Sequence, residues 1–191
     1  EYFIKNKFKL LKLEKFSEYI HFGLTSQDIN NTAIPISIKD FMPFYNSKIN
    51  ELISELEHKV KEYSRISMLA RTHGQPASPT RLGKEIDVFK TRIKEQFKVL
   101  ESIPISCKFG GATGNLNAHK IAFPEINWIK FAESFAKKLN LEISYPTTQI
   151  EHYDNLARLF DNLKRINTII LDLNRDLWQY ISLDYFQQKI V

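Results

Sequence analysis

Apolar residues recur along much of this chain at steps of three and four. Tyr45, Ile49, Leu52, Leu56, Val60 and Tyr63 form one such series, and Leu82, Ile86, Phe89, Ile93, Phe97 and Leu100 a second. The third and longest begins near Asn155 and runs through Leu159, Leu163, Ile166, Ile170, Leu173, Leu177 and Ile181. This spacing puts the apolar side chains on one stripe of a helix, so each series predicts a long amphipathic helix. Pro43 suits the first turn of the first, where a missing amide hydrogen costs nothing, and Pro79 precedes the second. The third widens at Ile169 to Leu173 into IILDL, which is apolar on more than one face. A helix apolar on so broad a front needs neighbours on several sides, and burial between copies of the chain would supply them.

Between these helices the sequence predicts connectors and short elements. Ser26 is a candidate N-cap for a helix through Asp28 and Ile29, with Asp28 in the first turn where the helix dipole favours an anion. Pro35 should bend that helix or end it. Ile105 to Phe109 reads as a short extended piece, and Gly110, Gly111 and Gly114 as an irregular loop. That loop lacks the Gly-Lys-Ser/Thr ending of a phosphate-binding loop. Ile126 or Asn127 opens a short helix to Leu139. With no internal repeat or low-complexity linker, residues 1–191 are expected to form a single helical domain. The fold class is all-α, a bundle of long helices with a sheet at most vestigial.

Composition narrows the function classes. A chain of 191 residues, 43% hydrophobic and 26% charged, resembles ordinary globular proteins and can bury roughly 70% of its unfolded surface. It contains no apolar run of about 18 residues, so no membrane partner is expected. The net charge of +5 invites nucleic-acid binding. The lysines, however, are interleaved with acids, as in Glu55/Lys59 and Glu57/Lys61 at i,i+4 spacing, and this is a solvated face. No basic stripe or groove-reading motif is present, so no nucleic-acid partner is expected. The single cysteine, Cys107, excludes an internal disulfide and a cysteine-based zinc cluster and suits a reducing cytoplasm. As a small apolar side chain it needs no further role.

The densest chemistry lies in Arg71-Thr72-His73-Gly74-Gln75-Pro76-Ala77-Ser78-Pro79. It places an imidazole, a hydroxyl, an amide and a guanidinium within five residues, next to two prolines. A histidine fixed among donors is suited to proton transfer near neutral pH. Alone, it would equally suit a loop whose histidine bonds a backbone carbonyl. It is not alone. RTHGQPASP resembles the second conserved segment of the fumarase/aspartase superfamily, and in particular of the adenylosuccinate lyases. HFGLTSQDINNTA, His21 to Ala33, resembles the first, with its Thr-Ser-x-Asp core. YPTTQIE, Tyr145 to Glu151, resembles the segment supplying a substrate-binding glutamine. GGATGNLNAH, Gly110 to His119, and INWIKFAESFA, Ile126 to Ala136, are similar to the branch found in many bacteria.

The resemblance implies a lyase of purine nucleotide biosynthesis. Such enzymes release fumarate by β-elimination from adenylosuccinate, giving AMP, and from the corresponding succinyl-carboxamide intermediate. They are homotetramers with active sites shared between subunits, and neither cofactor nor metal is expected. The leaving nitrogen must be protonated, so an acid working near pH 7 is required, and His73 matches the family's general acid. Charge builds on a carboxylate in the carbanion stage, which calls for preorganised donors. Thr25 and Ser26 match the pair that contacts the succinyl portion, and a helix starting there would add backbone N–H groups. Gln149 matches the substrate-binding glutamine. Thr72 either bonds substrate or fixes its loop.

Other histidines carry less. His21 could orient the Thr-Ser pair or make a structural bond, His119 is expected near the site without an assigned step, and His58 should face solvent. The family branch reads Gln-Ile-Glu-Pro-His-Asp where this chain has Gln149-Ile150-Glu151-His152-Tyr153-Asp154, so no role passes to His152 or Tyr153. The family's general base lies on a Gly-Ser-Ser-x-Met-Pro-x-Lys-x-Asn loop, and no such string occurs in these residues. The chain is therefore expected to be the central domain of a longer enzyme, residues 1–15 being the tail of a preceding helix and a connector, and to be inactive alone. Alternatives are a sister lyase such as argininosuccinate lyase, carboxymuconate cycloisomerase, or a non-catalytic helical oligomerisation domain. HFGLTSQDINNT and TTQIE favour adenylosuccinate lyase.

Overall fold

A computed structural model describes residues 1–189. Six helices dominate: α1 (Tyr2–Leu10), α2 (Ser26–Glu62), α3 (Leu82–Glu101), α4 (Asn117–Ala122), α5 (Trp128–Lys138) and α6 (Asp154–Ser182). A 3-10 turn, Glu14–Tyr19, follows α1. The strands are few. β1 (Ser67–Thr72) pairs antiparallel with β2 (Gln75–Arg81), and β3 (Ser106–Cys107) pairs parallel with β4 (Glu142–Ile143). The predicted all-α class holds, and the extended piece expected near Ile105 shrinks to β3.

The chain divides into two compact units, 1–41 with 104–156 and 42–103 with 157–191, each with its own interior. In the second unit the predicted seams are the core. All six apolar positions of the α3 series are buried, as are Ile49 and Leu56 of α2 and Leu159, Ile166 and Leu173 of α6. The amides of Leu82 and Gly83 donate to the carbonyls of Ile66 and Tyr63, which docks the start of α3. Asn162 to Gln96 and Arg92 to Asp172 tie α3 to α6. Leu171 and Trp178, on the broad apolar front of α6, stay 56% and 72% exposed within the single chain.

In the first unit Cys107, Ala136 and Leu141 form a buried cluster flanked by Ile36, Ile105, Leu139 and Ile143. Asn127 caps α5, its side chain accepting from the Lys130 amide. Lys39 donates to the Leu139 carbonyl beyond the other end of α5, satisfying an orphan helix-end acceptor.

The expectations that Ser26 caps α2 and that Pro43 opens a separate helix fail. Ser26 is its first residue rather than its cap, and Thr25 precedes it. Pro35 neither ends the helix nor does Pro43 begin a new one, since α2 continues through both for 37 residues. Each proline removes one amide donor, and the bonds on either side, with the tertiary ties described below, outweigh that loss.

Candidate functional site

The string around His73 forms a hairpin. Thr72 pairs with Gln75, leaving His73-Gly74 as a two-residue turn. Both turn residues have positive φ, 48° and 76°, the requirement of a type I′ turn, whose twist matches that of the flanking strands. Pro76 and Pro79 sit in a two-stranded ribbon, where each strand is an edge and a missing amide donor is tolerated. Arg71 reaches round the turn and donates to the Gly74 carbonyl at 3.0 Å. His73 is thereby presented, exposed, at the tip of the hairpin in the second unit.

Thr25, Ser26 and Gln149 belong to the first unit. Thr25 is half-buried and Ser26 exposed, at the start of α2, where helix N–H groups and the positive end of the dipole also lie. Their backbone is set by Asp28, whose Oδ2 accepts from the Thr25 amide at 2.7 Å. The other oxygen, Oδ1, accepts from the amides of Gly110 at 2.8 Å and Gly111 at 3.2 Å. It also faces Lys108 Nζ at 3.0 Å, with the Lys108 and Asp28 side chains 0% and 1% exposed. Lys108 Nζ donates onward to the Gly111 carbonyl at 2.6 Å, and the Thr32 hydroxyl donates to the Lys108 carbonyl at 3.4 Å.

The glycine loop then meets the glutamine segment. A Cβ on Gly114 would stand 2.0 Å from the Thr147 carbonyl oxygen and 2.7 Å from that of Thr148. At φ +78° and with that contact, only glycine fits. Gln149 follows, exposed. Beyond it Glu151 is buried and accepts from the Ser144 hydroxyl at 2.6 Å and from the Tyr153 amide. Tyr153, where this chain departs from the family pattern, donates its hydroxyl to Asn31 Oδ1 of α2 at 2.7 Å. His152 is half exposed, with Nε2 3.5 Å from Glu151.

His119 is 1% exposed and packs against the turn that leads to Thr25, its ring atoms filling the space a Cβ on Gly23 would need. Phe22, Phe109 and Trp128 surround the ring at 4.7 to 5.4 Å between centroids. Neither ring nitrogen has a hydrogen-bond partner of normal geometry. Burial holds its pKa below the ordinary histidine value, and the Asp28 carboxylate and Phe22 carbonyl oppose this only in part. A neutral, enclosed imidazole packs rather than transfers protons. Cys107 is likewise inert, because burial, aided by the Glu151 charge, pushes its thiol up to about 11. His21 is exposed, and so is His58, which lies 3.7 Å from Glu62. Lys61 pairs with Glu57 as its spacing predicts, whereas Lys59 takes Glu62 instead of Glu55.

Sequence reasoning missed the burial of Asp28 and Lys108. The one available signal for the lysine was its place between Cys107 and Phe109, a charge set in an apolar run. Among the described residues no cluster of His, Cys, Asp and Glu could hold a metal ion, and no helix is long and apolar enough to cross a membrane.

Comparison with known proteins gives a consistent picture. A family model described as lyase matches residues 1–191. The adenylosuccinate lyase of Dictyostelium discoideum is 54% identical over 201 aligned residues, covering 100% of this chain and 42% of its own length. Those of Buchnera aphidicola and Escherichia coli K12 are 43% and 40% identical, again over 100% of this chain and 42% of theirs. The chain thus spans about two-fifths of these curated relatives. Among solved structures, a fumarate lyase from Mesorhizobium superposes with a TM-score of 0.78 at 24% identity, covering 87% of this chain and 38% of that one. A 3-carboxy-cis,cis-muconate lactonizing enzyme from Pseudomonas putida gives 0.72 at 24%, covering 85% and 36%. At that identity the likeness establishes the fold.

Proposed function

The chain belongs to the lyase family, and from that premise we propose that it is part of an adenylosuccinate lyase. The whole protein would release fumarate by β-elimination from adenylosuccinate and from the succinyl-carboxamide intermediate, yielding AMP and the aminoimidazole carboxamide nucleotide. The observation that carries this is identity of 40–54% to adenylosuccinate lyases across the full length of this chain. Thr25, Ser26, His73 and Gln149 fall on exposed or half-exposed positions.

In this reaction a base removes a proton from carbon, electrons shift to form the double bond of fumarate, and the carbon–nitrogen bond breaks. His73 donates a proton to the departing nitrogen, because an unprotonated purine amine leaves poorly. The I′ turn suits that task by fixing the backbone that carries the imidazole while leaving the ring open to a ligand. Thr25 and Ser26 hold the succinyl carboxylates with hydroxyls and helix N–H groups, donors that gain most as negative charge develops. Gln149 binds substrate through its amide. The base is carried, as in the family, on a serine loop that these 191 residues do not contain. The enzyme works in the cytoplasm as a homotetramer with sites shared between subunits, the apolar front of α6 closing against other copies.

The test is the kinetics of the intact protein, followed as loss of adenylosuccinate absorbance. His73→Gln should lower kcat by about 10²-fold or more with little change in substrate affinity, as loss of a positioned acid does. Gln149→Ala should weaken binding as well as rate. Near-normal turnover in His73→Gln with the assembly intact would remove the acid assignment.

A further inference from the structure

We propose that the buried Asp28–Lys108 pair and the glycine loop it holds form a positioning device that fixes the grip on the fumarate half of the substrate. The proposal rests on the activity inferred above. Thr25 and Ser26 are placed by the bond from the Thr25 amide to Asp28 Oδ2. The opposite oxygen of the same carboxylate holds Lys108 and the amides of Gly110 and Gly111, and Lys108 holds the Gly111 carbonyl in turn. The concave pair of loop amides, which elsewhere could take a ligand anion, is filled by the chain's own carboxylate. The loop transmits position instead. Its far end, Gly114, lies against the Thr147 and Thr148 carbonyls immediately before Gln149. Rigid contact therefore runs from Thr25 through Asp28 and the loop to the glutamine segment. A second tie, Tyr153 hydroxyl to Asn31 Oδ1, joins α2 to the same segment one turn further along.

An ion pair is a poor means of stabilising an interior, since desolvation offsets most of the attraction and apolar residues do as well. Two charges with directional partners do, however, admit only one arrangement of the backbone around them. Fixing two substrate-binding segments to each other is what this arrangement accomplishes.

The experiment uses the intact protein and measures product inhibition by fumarate and by AMP separately, alongside thermal melting. Asp28→Asn should raise the fumarate inhibition constant by about 10- to 100-fold, the scale of a small displacement of aligned groups, with AMP inhibition changed by less than about 2-fold. A purely structural role would weaken both products alike, or lower the melting temperature alone. If Asp28→Asn is not recovered folded, Tyr153→Phe decides. It removes one hydroxyl from a partly exposed ring, and should raise the fumarate constant by about 5-fold, the worth of one hydrogen bond, without moving that of AMP. Equal effects on both products, or none on fumarate, would overturn the proposal. Absence of adenylosuccinate turnover by the unaltered protein would instead overturn the activity on which it rests.

Discussion

Removing Asp28 should cost the intact protein far more stability than removing Lys108, although the two form one pair. Both side chains are enclosed, so neither can turn to water when its partner goes. In Lys108→Met the carboxylate still accepts from three amides, those of Thr25, Gly110 and Gly111. Such a set of backbone dipoles can hold an anion without a counterion. The principal loss is the donor to the Gly111 carbonyl, and an unsatisfied buried acceptor costs about 1–3 kcal/mol. In Asp28→Ala the ammonium keeps only that carbonyl, and three amides lose their acceptor. A buried charge left unpaired costs about 3–5 kcal/mol, and each stranded amide adds roughly 1 kcal/mol. The sum, about 6 kcal/mol or more, rivals the total stability of an ordinary domain. At about 2–4 °C per kcal/mol, Lys108→Met should lower the melting temperature by about 2–12 °C. Asp28→Ala should lower it by more than about 12 °C or yield no soluble protein. Asp28→Asn/Lys108→Met, with no buried charge left, should melt well above Asp28→Ala. Circular dichroism melts of the three variants give the comparison. A Lys108→Met protein destabilised as much as Asp28→Ala would show that the amides do not support the carboxylate, and the reasoning would fail.

Three further outcomes follow from particular contacts. Because burial depresses the His119 pKa below 6.5, its contribution to stability is complete above pH 6.5 and declines as the pH falls towards the folded-state value, where only the unfolded chain takes up the proton. The melting temperature should therefore drop between pH 7 and pH 5.5, and His119→Phe should flatten that slope; an unchanged slope would assign it to other groups. Gly114→Ala meets both a positive φ and the Thr147 carbonyl, and should destabilise by about 2 kcal/mol or more in the same melts. Wild-type stability would mean that the loop yields. Leu171→Arg places a charge on the exposed apolar front of α6 and, on the proposed assembly, should make the intact protein sediment as a smaller species; an unchanged sedimentation coefficient would locate any interface elsewhere.

The parts of the fold legible in the sequence are those where one local period decides the outcome. Every apolar position of the α3 series is buried because a helix of that length has one face to bury, and the 3.6-residue repeat marks it. Rules about proline were less reliable, because they describe an isolated helix. Pro35 forfeits one bond to the Asn31 carbonyl. The same stretch of α2 is held from outside by Asp28, by Asn31 through Tyr153, by Thr32 through the Lys108 carbonyl and by Lys39 through Leu139. Those partners lie 76 to 122 residues away in the chain, and no local pattern announces them. In the hairpin Pro76 and Pro79 are tolerated because of the topology. They argue against a central strand, and a two-stranded ribbon has none.

The candidate site shows the same division more sharply. The groups proposed to meet a ligand, Thr25, Ser26, His73 and Gln149, stand in short strings beside a turn or helix start, and such local geometry leaves a readable signature. The groups that hold the backbone at Thr25 and before Gln149 do not. Asp28 is visible in the sequence only as a first-turn acid, a role its position would serve even if it faced solvent. What separates the two cases is a lysine 80 positions later with a fully buried side chain, and a loop whose Gly114 is dictated by the carbonyls of Thr147 and Thr148. A substitution at Lys108 or Gly114 would look harmless in any scan for catalytic residue types. On the proposed reading it should disturb the same contacts as a change in Thr25 itself, since the Thr25 amide is held by the carboxylate that Lys108 and the loop amides also hold.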